Sequence, residues 1–467
     1  MRRGIVAACL PLWLTGCATF SEDHGFAAVQ AHTRAQLGKE VRWVRDEAAQ
    51  KQLAEEIRQR LAAPLAMDDA VQIALLNNPG LQATYAELGI AEANLVAAGR
   101  LRNPGFTFTR LTHGDGDDQG VAIERKFLFD LLGLLTLPVR TSLEERRFAQ
   151  TQQRVSQEVL RLAWQTRRAW IEAVAAEQAV RQLEQAREAA DAAGMLASRM
   201  AAVGNISRLD QMRYHSFYAE TAASLARARQ LAQSKREKLA RLMGLWGDAL
   251  SFRLPEQLPD LPSITDAEQD LEAKALRERL DVAMARREVE GLAQSLGLTR
   301  ATRFVNVLEA SYLRNTATGA SRETGYEIEL TIPLFDFGEA KVARAEAIYL
   351  QAVNRLAEIA VNARSEVREA YAAYRTAYDL ARHYTEEVLP LRKRILEEML
   401  LRYNGMLISV FELLADARSQ VATVQAAIEA QRDFWLAQVD LEAARRGGGV
   451  RGVAFNPATS APEADKH

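Results

Sequence analysis

The residues best placed to do chemistry in this 467-residue chain are acids and hydroxyls at helical spacing. In YNGMLISVFELLADA, residues 403–417, Ser409 precedes Glu412 by three, and Glu412 precedes Asp416 by four. The first spacing is that of a capping box, in which serine accepts a backbone N–H three residues on and glutamate reaches back to the serine N–H. The second puts two carboxylates on one helix face. A ring of such acids around an opening favours cations. The pattern occurs twice, since Ser207 and Asp210 follow Gly204 as Ser409 and Glu412 follow Gly405. Arg402 and Arg418 flank the second turn, and Arg208 lies near the first. All three are candidates for ion pairs with acids of a neighbouring segment, each worth about 0–1 kcal/mol when exposed.

Other chemistries find no residues to carry them. The histidines, His24, His32, His113, His215, His383 and His467, form no pair at ligand spacing. The nine methionines are dispersed. GGGVRG, residues 447–452, follows a helical pattern rather than a strand, so it is not a phosphate-cradling loop. Formal net charge is −2 with no basic stripe, which argues against nucleic acid. The expectation is a non-enzyme with no metal site and no cofactor.

The N-terminus carries a different signal. Arg2 and Arg3 precede an apolar run, Gly4 to Leu14, too short to span a bilayer and suited to an export signal. It ends in Leu14-Thr15-Gly16-Cys17, which resembles the lipobox of bacterial lipoproteins. That resemblance implies a signal peptide over 1–16 and acylation of the Cys17 thiol. The alternative is a plain secretory signal that happens to contain a cysteine. Ala18 in place of aspartate suggests sorting to the outer membrane. Cys9, the only other cysteine, lies inside the signal, so no disulfide is expected.

These residues sit in a chain written twice. SRMAAVGNISRLDQMR (198–213) aligns with LRYNGMLISVFELLAD (401–416), pairing Gly204 with Met406, Ser207 with Ser409 and Asp210 with Glu412. ALLNNPGLQATYAEL (74–88) aligns with ALRERLDVAMARREV (275–289), and GVAIERKFLFD (120–130) with GYEIELTIPLFD (325–336). Each copy, 67–247 and 267–446, reads as a helix (67–99; about 268–298), two short strands and a long helical pair. The strands are expected at about 104–112 and 120–129, then about 303–313 and 325–335. The helical pairs are expected at 142–245 and 338–445.

In the last strand Tyr326, Ile328, Leu330 and Ile332 alternate with Glu327, Glu329 and Thr331, a period of two. Arg125 spoils the same alternation in the first copy, suggesting a short or bulged strand. NTATGASRETG reads as a loop. A helix over 142–203 is about 90 Å long and needs an antiparallel partner. Residues 17–66 form an N-terminal extension with a helix near 45–62, 248–266 a proline-rich connector, and 447–467 a disordered tail.

Four strands leave open edges, and in a membrane only a closed barrel satisfies the backbone. Four are too few to close, because the smallest membrane barrels have about eight. Three chains give twelve.

At this point the sequence resembles the TolC-like outer-membrane factors, the exit ducts of bacterial tripartite efflux pumps. The likeness runs from about 67 to 445. It is carried by the lipobox, the repeated helix opening, IPLFDFGEAKVARAEA (332–347) and the paired GNISRLD and RYNGMLISVFELL turns. It implies a mainly α fold with a small β part: a homotrimer with a twelve-stranded outer-membrane barrel and a periplasmic α-helical barrel. It also implies a periplasmic adaptor, an inner-membrane transporter of the resistance-nodulation-division type, and contact with outer-membrane lipid. By the same resemblance, Asp210, Glu412, Asp416, Arg402 and Arg418 belong to the periplasmic aperture or tip. Gly204, Ser207, Gly405 and Ser409 then form its turns.

The chain departs from the family pattern at 127–145, where the usual PLFD-glycine bend is absent. It also departs at Met406, which stands where the turn glycine belongs. DLLGLLTLPV is similar to ducts of heavy-metal pumps, so the cargo is expected to be drug-like or a heavy-metal cation. The competing reading is a periplasmic coiled-coil adaptor or scaffold lipoprotein.

Overall fold

A computed structural model describes residues 19–113, 120–263, 270–302, 308–330, 335 and 337–447. Cys17, the signal segment and the tail from 448 lie outside these residues. The helices are α1 (Phe26–Leu37), α2 (Glu47–Leu61), α3 (Met67–Asn77), α4 (Pro79–Ala98), α5 (Leu131–Ala202) and α6 (Arg208–Leu242). They continue with α7 (Leu271–Glu278), α8 (Leu280–Thr302), α9 (Glu339–His383), α10 (Leu389–Asn404) and α11 (Val410–Arg446). The strands are β1 (Gly105–His113), β2 (Gly120–Asp130), β3 (Leu308–Ala317) and β4 (Glu323–Leu330). None of the described helices is long and apolar enough to cross a membrane.

The chain divides into two compact units. The first takes residues up to Val29, Thr84–Val155 and Val282–Ile359. It holds one antiparallel sheet in the order β1-β2-β3-β4. Pairing is continuous from Gly105↔Leu128 to His113↔Gly120, from Ala122↔Ala317 to Asp130↔Glu309, and from Leu308↔Leu330 to Asn315↔Glu323.

Arg125 therefore does not shorten or bulge its strand, as its charge had suggested. It pairs in register with Phe108 on one side and Arg314 on the other. The expected loop NTATGASRETG is mostly strand. Its polar residues extend the β3–β4 ladder, Thr318 N–H donates to the Val121 carbonyl at 3.0 Å, and Gly319 takes the left-handed turn. Residues 303–307, expected to begin this strand, and 331–334 lie outside the described residues.

The two copies enter their helices differently, as the missing bend implied. Asp130 accepts the Gly133 N–H at 2.6 Å, so α5 starts directly from β2, eleven residues before the expected 142. Pro138 then sits inside its first turns, with the Thr136 and Thr141 hydroxyls donating to carbonyls four residues back. In the second copy Gly338, at φ +74°, precedes α9.

The second unit takes Gln30–Ala83, Ser156–Asp281 and the chain from Ala360 on. Its core is apolar and dense around Trp164, Leu65, Ile73, Leu75, Ile171, Leu239 and Met243. The Trp170 indole N–H donates to the Leu65 carbonyl at 2.8 Å.

Each expected opening helix is two helices. Asn78 breaks the first because the residue before a proline avoids the helical region; its ψ is 118°. Arg279 breaks the second at ψ 127° without a proline. A π-helical turn, Tyr384–Val388, separates α9 from α10. Pro390, the second residue of α10, has no N–H to continue the ladder. The second helical pair therefore has a break besides the one at its turn.

Candidate functional site

The two hairpin turns end in the same way. After α5 the Asn205 N–H reaches back to the Met200 carbonyl at 2.9 Å, and Gly204 sits at φ +79°. After α10 the Leu407 N–H reaches back to the Arg402 carbonyl at 2.9 Å, and Met406 sits at φ +61°. Both are left-handed closures with a six-residue ring. Gly405, expected to supply the second turn, has φ −80°. The residue that turns is Met406, a side chain in a conformation glycine adopts without cost.

The caps differ by one methylene. Ser409 Oγ accepts the Glu412 N–H at 3.3 Å, and Glu412 accepts the Ser409 N–H at 3.0 Å, a complete capping box. Ser207 Oγ accepts the Asp210 N–H at 3.0 Å. The shorter Asp210 carboxylate takes the Ser207 hydroxyl at 2.7 Å and pairs with Arg213 at 3.2 Å.

Side chains from both hairpins meet near these turns. Phe217 of α6 and Leu414 of α11 are buried together with Ala190 of α5. Arg418 pairs with Glu220 of α6 at 3.2 Å and lies over the Phe217 ring. Arg213 lies over the Phe411 ring at 4.8 Å. Burial first, and then a hydrogen bond with the Tyr403 phenol, push the Tyr214 hydroxyl well above its ordinary pKa. The tip of α6 is thereby held to both arms of the second hairpin.

The singled-out residues separate into two groups. Arg418 pairs across hairpins, whereas among the described residues Arg402 pairs only with Glu398 of its own helix, at 2.9 Å. Glu412 is exposed, while Asp416 is only 11% exposed and pairs with Arg392 of α10 at 3.5 Å. Arg392 was overlooked, although it and Asp416 stand twelve residues either side of Asn404, the separation an antiparallel hairpin brings together.

Around the tip, Val203, Leu209, Met212, Leu401, Met406 and Leu407 are exposed apolar side chains. Among the described residues no cluster of three or more His, Cys, Asp or Glu side chains is arranged to hold a metal.

No protein-family model matches the chain, and no curated protein matches its sequence. Solved structures do match. The outer membrane protein VceC of Vibrio cholerae superposes with a TM-score of 0.69 at 18% identity, over 82% of this chain and 96% of that one. The CmeC outer membrane channel of Campylobacter jejuni gives 0.70 at 16%, over 90% and 92%. CusC, described in terms of transmembrane channel formation, gives 0.70 at 18%, over 82% and 92%.

The chain has the TolC-like outer-membrane channel fold. Its mostly helical make-up and small antiparallel sheet are those of these channels. Within that fold, β1 to β4 form the sheet portion and the paired turns at Gly204 and Met406 are the free ends of the helical hairpins.

Proposed function

We propose that this chain is one third of an outer-membrane exit duct for a tripartite efflux system. The observation that carries this reading is the sheet. Among the described residues, its outer strands β1 and β4 each have one unpaired edge. One face presents Phe106, Phe127, Phe129, Tyr326 and Ile328, all exposed. An exposed apolar face with two open edges is unstable in water. It is satisfied when three copies close twelve strands inside a bilayer.

On this reading the hairpins line a periplasmic conduit, and the apolar tip receives an adaptor that joins the duct to an inner-membrane transporter of the resistance-nodulation-division type. Cys17 is the lipid attachment point, and the protein resides in the outer membrane. Glu412 faces the entrance as a cation-favouring ring, while Asp416 and Arg418 hold the closed arrangement. Cargo is drug-like or a heavy-metal cation. A scaffold lipoprotein would share the hairpins but has no use for the apolar sheet face.

The test is electrophoretic migration of outer-membrane fractions. The duct reading expects a species of three chains that survives detergent at room temperature and collapses to one chain on boiling. A single-chain species under both conditions, released in the soluble periplasmic fraction after Cys17→Ser, favours the scaffold.

A further inference from the structure

Charge is sorted by face in the sheet. Because all three pairings are continuous, cross-strand rows can be followed through the sheet. One row is Phe106, Phe127, Tyr312 and Tyr326. The next row toward the hairpin turns, on the same face, is Phe108, Arg125, Arg314 and Thr324, and beyond it come Arg110, Ile123 and Thr316. Every carboxylate in the described strands belongs to the opposite face: Glu124, Asp130, Glu309, Glu323, Glu327 and Glu329. There Lys126 pairs with Glu327 at 2.7 Å.

Arg125 and Arg314 are directly opposed partners. Side chains so placed start about 4.5–5.5 Å apart at their β carbons, and like charges there repel. Among the described residues no carboxylate forms an ion pair with either. Arg125 lies against the Phe108 ring, 5.9 Å to its centroid, and Arg314 is exposed. Two cations held together on a face that carries no carboxylate in the described strands are stabilised by an anion supplied from outside the chain.

We propose that Arg125 and Arg314, flanked by Arg110, bind the phosphate of a phosphorylated lipid head group in the outer leaflet, one site per chain. This rests on the reading of the apolar face as lipid-facing. Aromatic side chains gather where the hydrocarbon layer ends, and the arginine row lies one side-chain repeat, about 7 Å, further toward the hairpin turns. That is head-group depth. A guanidinium fork takes two phosphate oxygens at once, and a phosphate between two forks removes the repulsion. The hydroxyls of Thr316 and Thr324 border the same site as further donors.

The experiment is native mass spectrometry of the purified assembly with diphosphorylated lipid A, fully dephosphorylated lipid A, or inorganic phosphate as probe. The wild type is expected to retain diphosphorylated lipid A through activation. Arg125→Gln with Arg314→Gln should lower that retention about tenfold, and the two Lys replacements should give an intermediate loss. Dephosphorylated lipid A should bind both proteins equally weakly. Equal retention of diphosphorylated lipid A by wild type and the double Gln protein overturns the proposal, as does displacement of lipid A by millimolar inorganic phosphate. If the double variant fails to assemble, Arg314→Gln alone serves, with a several-fold loss expected and no loss overturning.

A second measurement separates this proposal from its premise. The indole introduced by Tyr312→Trp should be quenched by brominated lipid. No quenching overturns the lipid-facing reading and the site with it. Quenching with unchanged lipid A retention overturns the site alone.

Discussion

Asn78 and Arg279 occupy the same position in the two copies and make the same bond. Asn78 Nδ2 donates to the Leu242 carbonyl in the last turn of α6 at 2.9 Å. Arg279 donates to the Ala444 carbonyl in the last turn of α11, also at 2.9 Å. Each ties the break between two opening helices to the end of its own copy's returning helix. The duplication thus preserved a helix-end bond while changing the residue that makes it.

Arg279 carries more than Asn78. It is 5% exposed and also grips Asp281 with two bonds, at 3.0 and 2.6 Å, and Glu366 at 2.7 Å. Arg279→Ala removes a shared cation from beside two acids that both retain partial access to water. The expected loss is about 2–3 kcal/mol, against about 1 kcal/mol for Asn78→Ala. Thermal unfolding of the two variants should rank them in that order, and equal losses would disagree with the clamp.

The left-handed Met406 predicts a stabilising substitution. Met406 is 93% exposed, so its side chain contributes no packing within the chain. Met406→Gly should stabilise the turn by about 1 kcal/mol, and Gly204→Ala should destabilise its counterpart by a similar amount. Hydrogen exchange at the two turns reads both signs.

A half-buried acid predicts a pH dependence. Burial raises the Glu288 carboxyl above its ordinary pKa, only partly opposed by Arg355. A carboxyl raised in the folded state favours folding when protonated, and that advantage fades as pH rises past the folded value. Glu288→Gln should therefore raise the melting temperature at pH 7–8, with the gain shrinking as pH falls through the raised folded value and gone below the ordinary value of 4.5. A gain independent of pH would point to packing instead.

Much of this architecture was legible in the sequence. Capping residues act within one turn of helix, so Ser207, Ser409 and Glu412 announced their geometry locally. The equivalence of Gly204 and Met406 followed from the repeat. What escaped notice depends on distant partners. Arg279 meets Glu366 and Ala444, 87 and 165 residues away, and nothing near it in sequence marks it as a clamp. Arg125 looked like an interruption because a single strand shows alternation but not its neighbours, and Arg314 is what it faces. Polar strand ends at 315–317 and 323–325 resembled a loop because their bonds are made to other strands. The π-helical turn at 384–388 has only Pro390 as a local sign, and a proline does not say how the preceding ladder adjusts.

At the tip, Arg418→Ala removes the pair with Glu220 and the packing over Phe217, whereas Arg402→Ala removes only a pair within one helix. Exposed pairs contribute about 0–1 kcal/mol each, multiplied by three in the proposed assembly. Arg418→Ala should therefore raise single-channel conductance in planar bilayers, and Arg402→Ala should leave it nearly unchanged. Glu412→Gln should lower cation preference, read as a shift of reversal potential in a salt gradient. An unmoved reversal potential leaves Glu412 a cap alone.

The central claim is that three copies close one barrel, and the free edges of β1 and β4 test it most directly. The repeat matches Glu124 with Glu329, whose hairpin partners are Thr109 and Glu309, so carrying the Asp130–Glu309 pair of β2 and β3 over to the next copy sets Thr109 opposite Phe335. Thr109→Cys combined with Phe335→Cys, treated in intact outer membranes with a short thiol cross-linker, should give a ladder of one, two and three chains that stops at three. Neither single variant should give the ladder. A chain that stays uncross-linked, or a ladder running past three, would contradict closure by three copies.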